Sequence, residues 1–402
     1  MFNFKSVITI FLMIVLFSVP VLAEQPDFKL TASSALLMEA DTGEILYARN
    51  EHKRLPPASM TKVMTMLLVM EAIDEGRAQL NDKLLVSERA ASMGGSQVYL
   101  EPGEEITLEN AMKAIAISSA NDACVAVAEY ISGTEKDFIE AMNEKAEKLN
   151  LRDTYYYNTN GLPPSDPEIK GNFTSAYDLA RLTQEIINYP QIFEWTSTWI
   201  DYIREGEFVL NNTNWLVRHY KGVNGLKTGY TQEAGFCVTC TSQKKNLNFI
   251  SVIMNAKSSK KRFSEAAKLL SYGYNSYESI IIAKKGEKIE DVKIANGCKQ
   301  EASIVVPTKI TVAVRKGEEE KINKEIIVNK NLKAPLKKGD TTGILNIYNG
   351  NLKIKEVELT INREVKAASI FQIIMRILKN LYIILTKIFF GEGIRNFLLN
   401  KI

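Results

Sequence analysis

Histidine is nearly missing from this chain: His52 and His219 are the only two in 402 residues. No His-Glu-x-x-His pair is present to hold zinc, and no Gly-x-Ser-x-Gly elbow accompanies a histidine base. A hydrolase made from this sequence needs a different base. Cysteine is scarce too. Cys124, Cys237, Cys240 and Cys298 are too few for a disulfide scaffold in a chain of this length. Cys237 and Cys240 stand three apart in a β-like run, so they face opposite ways. No second pair or histidine cluster joins them as ligands, and neither a metal nor a cofactor is expected. Charge of one sign is also lacking, with a formal net of +3. Residues 366 to 402 hold six Lys/Arg against Glu392, a net of +5; subtracting that and the charge of Lys5 leaves −3 elsewhere. The basic excess belongs to the C-terminus, and no nucleic-acid surface is expected.

The composition, 46% hydrophobic and 24% charged, is that of a globular chain long enough for two domains. The first 23 residues stand apart. Lys5 is their only charge, Val7 to Val21 is almost wholly apolar, and Val21-Leu22-Ala23 offers a small-residue cleavage site. This reads as a secretory signal peptide, which places the mature protein outside the cytoplasmic membrane.

Hydrophobic patterning divides the remainder. Residues 24 to 275 open with a hairpin signal around Asp41-Thr-Gly43. Helical runs follow from Ser59, Thr107, Ala123, Glu135 and Ala176, and then β-like runs from Gly222 to Met254 with a last helix from Phe263 to Tyr274. This order suggests an α+β domain, with helices packed on an antiparallel sheet drawn from both ends of the segment. Residues 276 to 365 show short alternating runs and read as a small β-rich domain, with a slip in the alternation at Glu356. Residues 366 to 402 are apolar but carry Arg376, Lys379 and Lys387 on one helical sector. Spanning a bilayer costs about 2.5–3.5 kcal/mol for each cation, against about 0.3–0.6 kcal/mol gained from each of some fourteen large apolar residues. An amphipathic anchor lying in the interface avoids that cost and is favoured over a span; a helix packed on the protein's own core is the bland alternative.

Chemistry begins at Pro57-Ala58-Ser59-Met60-Thr61-Lys62. Two prolines stop a helix from extending backwards, and Ser59 falls at an N-cap or first-turn position with Lys62 one turn on. Alone, the pair means little more than a capped helix. Downstream stand Ser119-Ala-Asn121 between helices and Lys227-Thr228-Gly229 beside a strand. The three together divide the work of an acyl transfer. Ser59 attacks a carbonyl, and a neutral Lys62 takes its proton, provided burial or nearby cations lower its pKa. Ser119 relays a proton to the leaving amine, and Asn121 orients Lys62 and the substrate amide. Lys227 and Thr228 hold a substrate carboxylate. The N–H groups of Ser59 and of the residue after Gly229 can form an oxyanion hole.

In this order and context the motifs resemble those of the penicillin-binding D-alanyl-D-alanine carboxypeptidases, relatives of the serine β-lactamases. The likeness covers roughly residues 30 to 275 and includes Asn158-Thr-Asn-Gly-Leu162, Thr174-Ser-Ala-Tyr-Asp-Leu-Ala180 and Gly225-Leu-Lys-Thr-Gly-Tyr-Thr231. The resemblance implies a penicillin-binding/β-lactamase-like transpeptidase fold followed by a β-rich domain and an amphipathic membrane anchor. It implies catalysis by Ser59, Lys62, Ser119 and Asn121, and substrate binding by Lys227, Thr228, Gly229 and Tyr230, the last through its N–H. The expected reaction is removal of the terminal D-alanine from peptidoglycan stem peptides through an acyl-serine, blocked by β-lactams. Attachment at the outer face of the cell membrane is also expected. Ala120 and Asn172 depart from the usual glycine and histidine of the family. A D,D-endopeptidase, a β-lactamase and an inert penicillin-binding wall protein are the alternatives. The Glu-x-x-Leu-Asn motif of one β-lactamase class is absent, since Glu147-Lys-Leu-Asn150 has the wrong spacing.

Overall fold

The computed structural model describes residues 26–399; the signal peptide expected at 1–23 lies outside the described residues. The expected hairpin forms from β1 (Ser34–Glu39) and β2 (Ile45–Arg49). Its turn uses Gly43 at φ +77°, a conformation that favours glycine. A 3-10 turn (Ala58–Thr61) then leads without a break into helix α1 (Lys62–Asp74). All of α1 except Glu71, Ile73 and Asp74 is buried, as its all-round apolar sequence requires.

The helical block continues with α2 (Leu108–Lys113), α3 (Asn121–Ser132), α4 (Glu135–Lys148) and α5 (Ala176–Ile186). Thr107 and Ser175 cap their helices by accepting from the N–H groups of Asn110 and Asp178. Between α2 and α3 the chain widens into a π-helical turn (Ala114–Ser118), which the sequence pattern reads simply as more helix.

Strands β3 (Val223–Thr231), β4 (Gly235–Lys244) and β5 (Leu247–Ala256) complete an antiparallel sheet in the order β2-β1-β5-β4-β3. The sheet is thus drawn from both ends of the domain, with Ser34 opposite Met254 and Glu39 opposite Phe249. Helix α6 (Ser259–Ser276) covers one face, where Phe263, Ala266 and Leu269 meet Cys240, Phe249 and Ile253. The other face meets α5 and the 3-10 turn, where Leu179 and Met60 join Cys237, Ile250 and Val252. Cys237 and Cys240 therefore enter opposite cores as free, buried thiols. Burial pushes both thiols up, to about 11 and about 12. They are packing residues.

Helix α6 ends at Ser276 and the next strand starts at Tyr277, so the two domains join without a linker. The second domain is β-rich, as expected, with a sheet of six strands and a separate pair among the described residues. Its core is a single aliphatic cluster that includes Ile304, Leu345, Ile347, Leu359 and Ile361. The slip in alternation falls at Ile354, which has no partner opposite it, two residues before the position the sequence pattern marks. A polar cleft of about 720 Å³ lies between the domains, lined by Thr241, Asn248, Lys309 and Lys355 among others. None of the residues singled out for chemistry lines it.

Helix α7 (Ile370–Leu399) closes the described chain. Its start is a reciprocal cap, in which Ser369 and Gln372 each bond the other's N–H. Ile370, Phe371, Ile374, Ile377, Leu378 and Leu381 are all exposed, so the stretch of this helix over 370–385 does not pack on the protein's own core. No helix among the described residues is long and apolar enough to cross a membrane.

Candidate active site

The 3-10 turn presents Ser59 at the mouth of α1, and its hydroxyl caps nothing. Lys62, the first residue of α1, sends its amine back along the same face. Its Nζ lies 3.0 Å from Ser59 Oγ, 2.6 Å from Asn121 Oδ1 and 2.8 Å from the carbonyl oxygen of Asn160. Lys62 is wholly buried, and that burial lowers its pKa from 10.5 to about 8, with Cys124 and Asp122 opposing the shift. A neutral amine has two N–H bonds and one lone pair. If Asn121 and Asn160 take the two N–H bonds, the lone pair is left for the Ser59 hydroxyl.

Asn121 is fixed from both ends. Its Nδ2 donates to Gly94 O at 2.6 Å, and its backbone N–H donates to Ser96 O at 2.7 Å. This pattern places Oδ1 toward Lys62. Asp122 holds the same loop by accepting from the N–H groups of Val98 and Leu100, both at 3.1 Å. Ser119 follows the π-helical turn in a left-handed conformation at φ +65°. Its Oγ is buried and has no hydrogen-bond partner. A hydroxyl held this way is available to something that enters the cleft.

Strand β3 is the edge of the sheet and lies along the 3-10 turn. A Cβ at Gly229 would sit 2.6 Å from Pro57 O and 3.2 Å from Ser59 N, so only glycine lets the strand come this close. Lys227 is fully buried, and its Nζ donates only to Thr228 O, at 3.3 Å. Desolvation, with Lys62 and Arg262 adding to it, drives its pKa well below the ordinary lysine value. Thr228 Oγ1 donates to Thr213 Oγ1 at 2.8 Å. Tyr230 is exposed and stacks on Phe236 with ring centroids 4.3 Å apart.

The structure thus bonds Ser59, Lys62 and Asn121 directly and sets Gly229 against Ser59. Ser119 is brought to the same region without a bond to either partner. Sequence reasoning missed three contributors. The Asn160 carbonyl is backbone, so its residue type gives no signal beyond the Asn-Gly turn that holds it. Gly161 in that turn, at φ +86°, would drive a Cβ to 1.9 Å from Ala58 O. Arg262 falls one residue before the helix expected from Phe263, yet it lies on α6 and is buried, and it donates to Gly229 O at 3.0 Å and Cys237 O at 3.3 Å. Thr213 sits in an unremarkable polar run. Asn172, where the family usually has histidine, bonds Thr61 Oγ1 at 2.8 Å and accepts from the N–H groups of Tyr157 and Asn158. No metal-binding cluster occurs among the described residues.

The chain matches the D-alanyl-D-alanine carboxypeptidase family over residues 20–258, and the penicillin-binding protein 5 C-terminal domain over 277–367. It is 41% identical to D-alanyl-D-alanine carboxypeptidase DacF of Bacillus subtilis, over 86% of this chain and 88% of that one. Identity to DacD of Escherichia coli is 32%, covering 88% and 91%. Penicillin-binding protein 5 of Haemophilus influenzae superposes with a TM-score of 0.67 at 28% identity, covering 84% of this chain and 98% of that one. Ampicillin-bound penicillin-binding protein D2 of Listeria monocytogenes, 30% identical, gives 0.57 over 62% of this chain and all of its own. The α+β fold is that of the penicillin-binding proteins. The chain belongs to the D-alanyl-D-alanine carboxypeptidase family and is a serine-type hydrolase of that class.

Proposed function

We propose that this chain removes the terminal D-alanine of peptidoglycan stem peptides with Ser59 as the acylated nucleophile and Lys62 as its base. The observation that carries this reading is the buried Lys62 amine 3.0 Å from Ser59 Oγ, with a pKa lowered to about 8. Ser59 Oγ attacks the carbonyl of the penultimate D-alanine while Lys62 takes its proton. The N–H groups of Ser59 and Tyr230 receive the developing oxyanion, helped by the positive end of α1. Ser119 passes the proton from Lys62 to the departing amine, which leaves as D-alanine. Water then attacks the acyl-serine with Lys62 again as base. Lys227 and Thr228 hold the terminal carboxylate, Gly229 admits the substrate beside Ser59, and Asn121 orients Lys62. A β-lactam enters the same path and stops at the acyl-serine.

We further propose an exported protein, with a signal peptide at 1–23, a catalytic domain at 24–275, a β-rich domain at 276–365 and a membrane anchor at 366–402. Helix α7 lies along the outer face of the cell membrane. Its exposed apolar residues, its cations and the bond from Arg376 Nη2 to Cys298 O support this reading.

Labelling with a fluorescent penicillin, wild type beside Ser59→Ala, alongside D-alanine release from a pentapeptide tests the chemistry. Label and release are expected from the wild type alone. No label on the wild type sinks the mechanism, and label without release favours an inert or endopeptidase role. Deleting 367 to 402 is expected to free the protein from membranes; continued retention refutes the anchor.

A further inference from the structure

Charge is spread unevenly along this chain. Residues 24 to 275 hold 26 Lys/Arg against 33 Asp/Glu, a net of −7, whereas 276 to 365 hold 17 against 13, a net of +4. The sign changes at the domain junction and stays positive through the tail. Within the second domain the acids Glu318, Glu319 and Glu320 stand near that junction, just after Lys316, whose amine donates to Asn275 O at 2.7 Å. Unpaired cations gather instead where α7 begins.

There the short strand Leu332–Lys333 pairs in parallel with Lys288–Ala295, Ile294 beside Leu332 and Ala295 beside Lys333. This register sends Ile294 and Leu332 into the core and leaves Lys293, Ala295 and Lys333 together on the exposed face. Lys330 joins them, and the three lysines line one hollow of about 830 Å³. Among the described residues Glu301 is the only carboxylate in that lining. The ion pairs of this domain among the described residues use Lys288, Lys321 and Lys353; Lys293, Lys330 and Lys333 have none. Three like charges on one hollow repel one another, and an anion brought to them relieves that.

The hollow is tied to α7 through a single turn. Ala295 and Gln300, both in the lining, are the two ends of that turn, which Ile294 N closes by donating to Gln300 O at 2.8 Å. The lead into α7 grips it: Cys298 N donates to Lys366 O at 2.8 Å, and Ala368 N to Asn296 O at 2.7 Å. Arg376 Nη2 donates to Cys298 O at 2.9 Å from within the helix. Lys299 and Lys366 are exposed at the same turn. We propose that this hollow is a second membrane contact, taking the anionic headgroups of lipids beside α7. The proposal rests on the reading of α7 as an interfacial anchor. A helix lying at headgroup depth carries the turn bonded to it to the membrane surface. Each lysine there strengthens binding to anionic lipid about fivefold, the factor that about 1 kcal/mol produces. A soluble polyanion has the same charge, but only a bilayer is delivered to these lysines by the helix they adjoin. On its own the hollow is too weak to hold the protein; it multiplies what the apolar face of α7 supplies. The same surface repels the catalytic domain with its net of −7.

The test measures partition of the exported chain, 24 to 402, onto vesicles of phosphatidylcholine alone and of phosphatidylcholine mixed with phosphatidylglycerol. Wild type is expected to bind both, and the anionic mixture more tightly. A triple variant, Lys293→Gln with Lys330→Gln and Lys333→Gln, is expected to lose about a hundredfold on the anionic vesicles and nothing on the neutral ones. Glutamine at Lys83, Lys136 and Lys148, exposed on the catalytic domain, should leave both affinities as they were. Penicillin acylation should be unchanged in every variant. Undiminished binding of the first variant to anionic vesicles overturns the proposal. So does an equal loss on both kinds of vesicle, or a loss as large in the catalytic-domain variant. A soluble glycerol-phosphate polymer that only the first variant fails to bind, with vesicle binding untouched, hands the hollow to a soluble polyanion and overturns the membrane contact. Wild type that ignores neutral vesicles but shows the hundredfold loss on anionic ones sinks the reading of α7 alone and upholds the hollow.

Discussion

The two domains bury different things. The second domain fills its core with Ile304, Leu345, Leu359 and their aliphatic neighbours, and among its described residues Thr342 and Asn346 are the only buried polar side chains. The first domain buries Lys62, Lys227, Arg262, Asp122 and Asp178. A buried charge costs several kcal/mol unless it is partnered or neutralised. In the second domain, burial serves stability alone. In the first, part of that stability is spent on keeping two lysines dry, and the return is an amine that sheds its proton near neutral pH. Buried charge therefore marks the domain that does chemistry.

The largest test of this contrast is a double dissociation. Lys62→Met, close in size, is expected to lower penicillin acylation by about 10³-fold, the scale of a lost general base, with cooperative unfolding retained. Stopped-flow acylation together with calorimetry reads both, and acylation within tenfold of wild type breaks the argument. Leu345→Ala is expected to do the opposite. It should destabilise the second domain by about 2–5 kcal/mol while acylation stays intact. Limited proteolysis of 277–365 beside penicillin labelling checks it, and loss of label would show that the site leans on the second domain.

Glycines sharpen the comparison at smaller scale. Gly229→Ala must move either the strand or the 3-10 turn, and a fall in acylation of at least about tenfold is expected. Gly350, in a turn of the second domain at φ +58° with open space around it, should cost only about 1–2 kcal/mol as alanine and leave kinetics unchanged. Measured acylation rates for the two variants decide whether close approach or conformation matters at each position.

The pH dependence tests the same lysine without a substitution. Lys62 titrates near 8 in the folded protein, against 10.5 for an ordinary solvated lysine, so acylation should rise with pH and level off above about 8. Between those values the unfolded chain binds more protons. Stability from this group therefore increases as pH rises from about 8 to 10.5, and below 8 the protonated amine weighs against folding. A flat acylation profile from pH 6 to 9 contradicts the assignment.

Much of this was legible in the sequence, for identifiable reasons. Ser59 and Lys62 declare themselves because i,i+3 spacing survives into the structure, and the strands of the first sheet because they are continuous apolar runs rich in β-formers, buried on both faces. Ser119 was legible as a residue but not as a conformation: nothing in Ala-Ile-Ala-Ile-Ser signals a π-helical turn that ends left-handed. Asn160 works through its carbonyl, which every residue possesses. Arg262 is burdened by its type, since arginine on a helix ordinarily faces water, and only the fold reveals that it braces β3 from behind.

The pairing of β1 with β5 also sets the time at which this enzyme can exist. Ala35 waits for Ile253, and β4 and β3 have no sheet to join until β5 lies between them and β1. A chain still emerging from a ribosome already holds Ser59 and Lys62, yet Gly229 has no frame that sets it against them. The topology is a clock: until Leu247–Ala256 has been made, the strand that carries β4 and β3 to β1 is missing, and the site waits on the last strand of its own sheet.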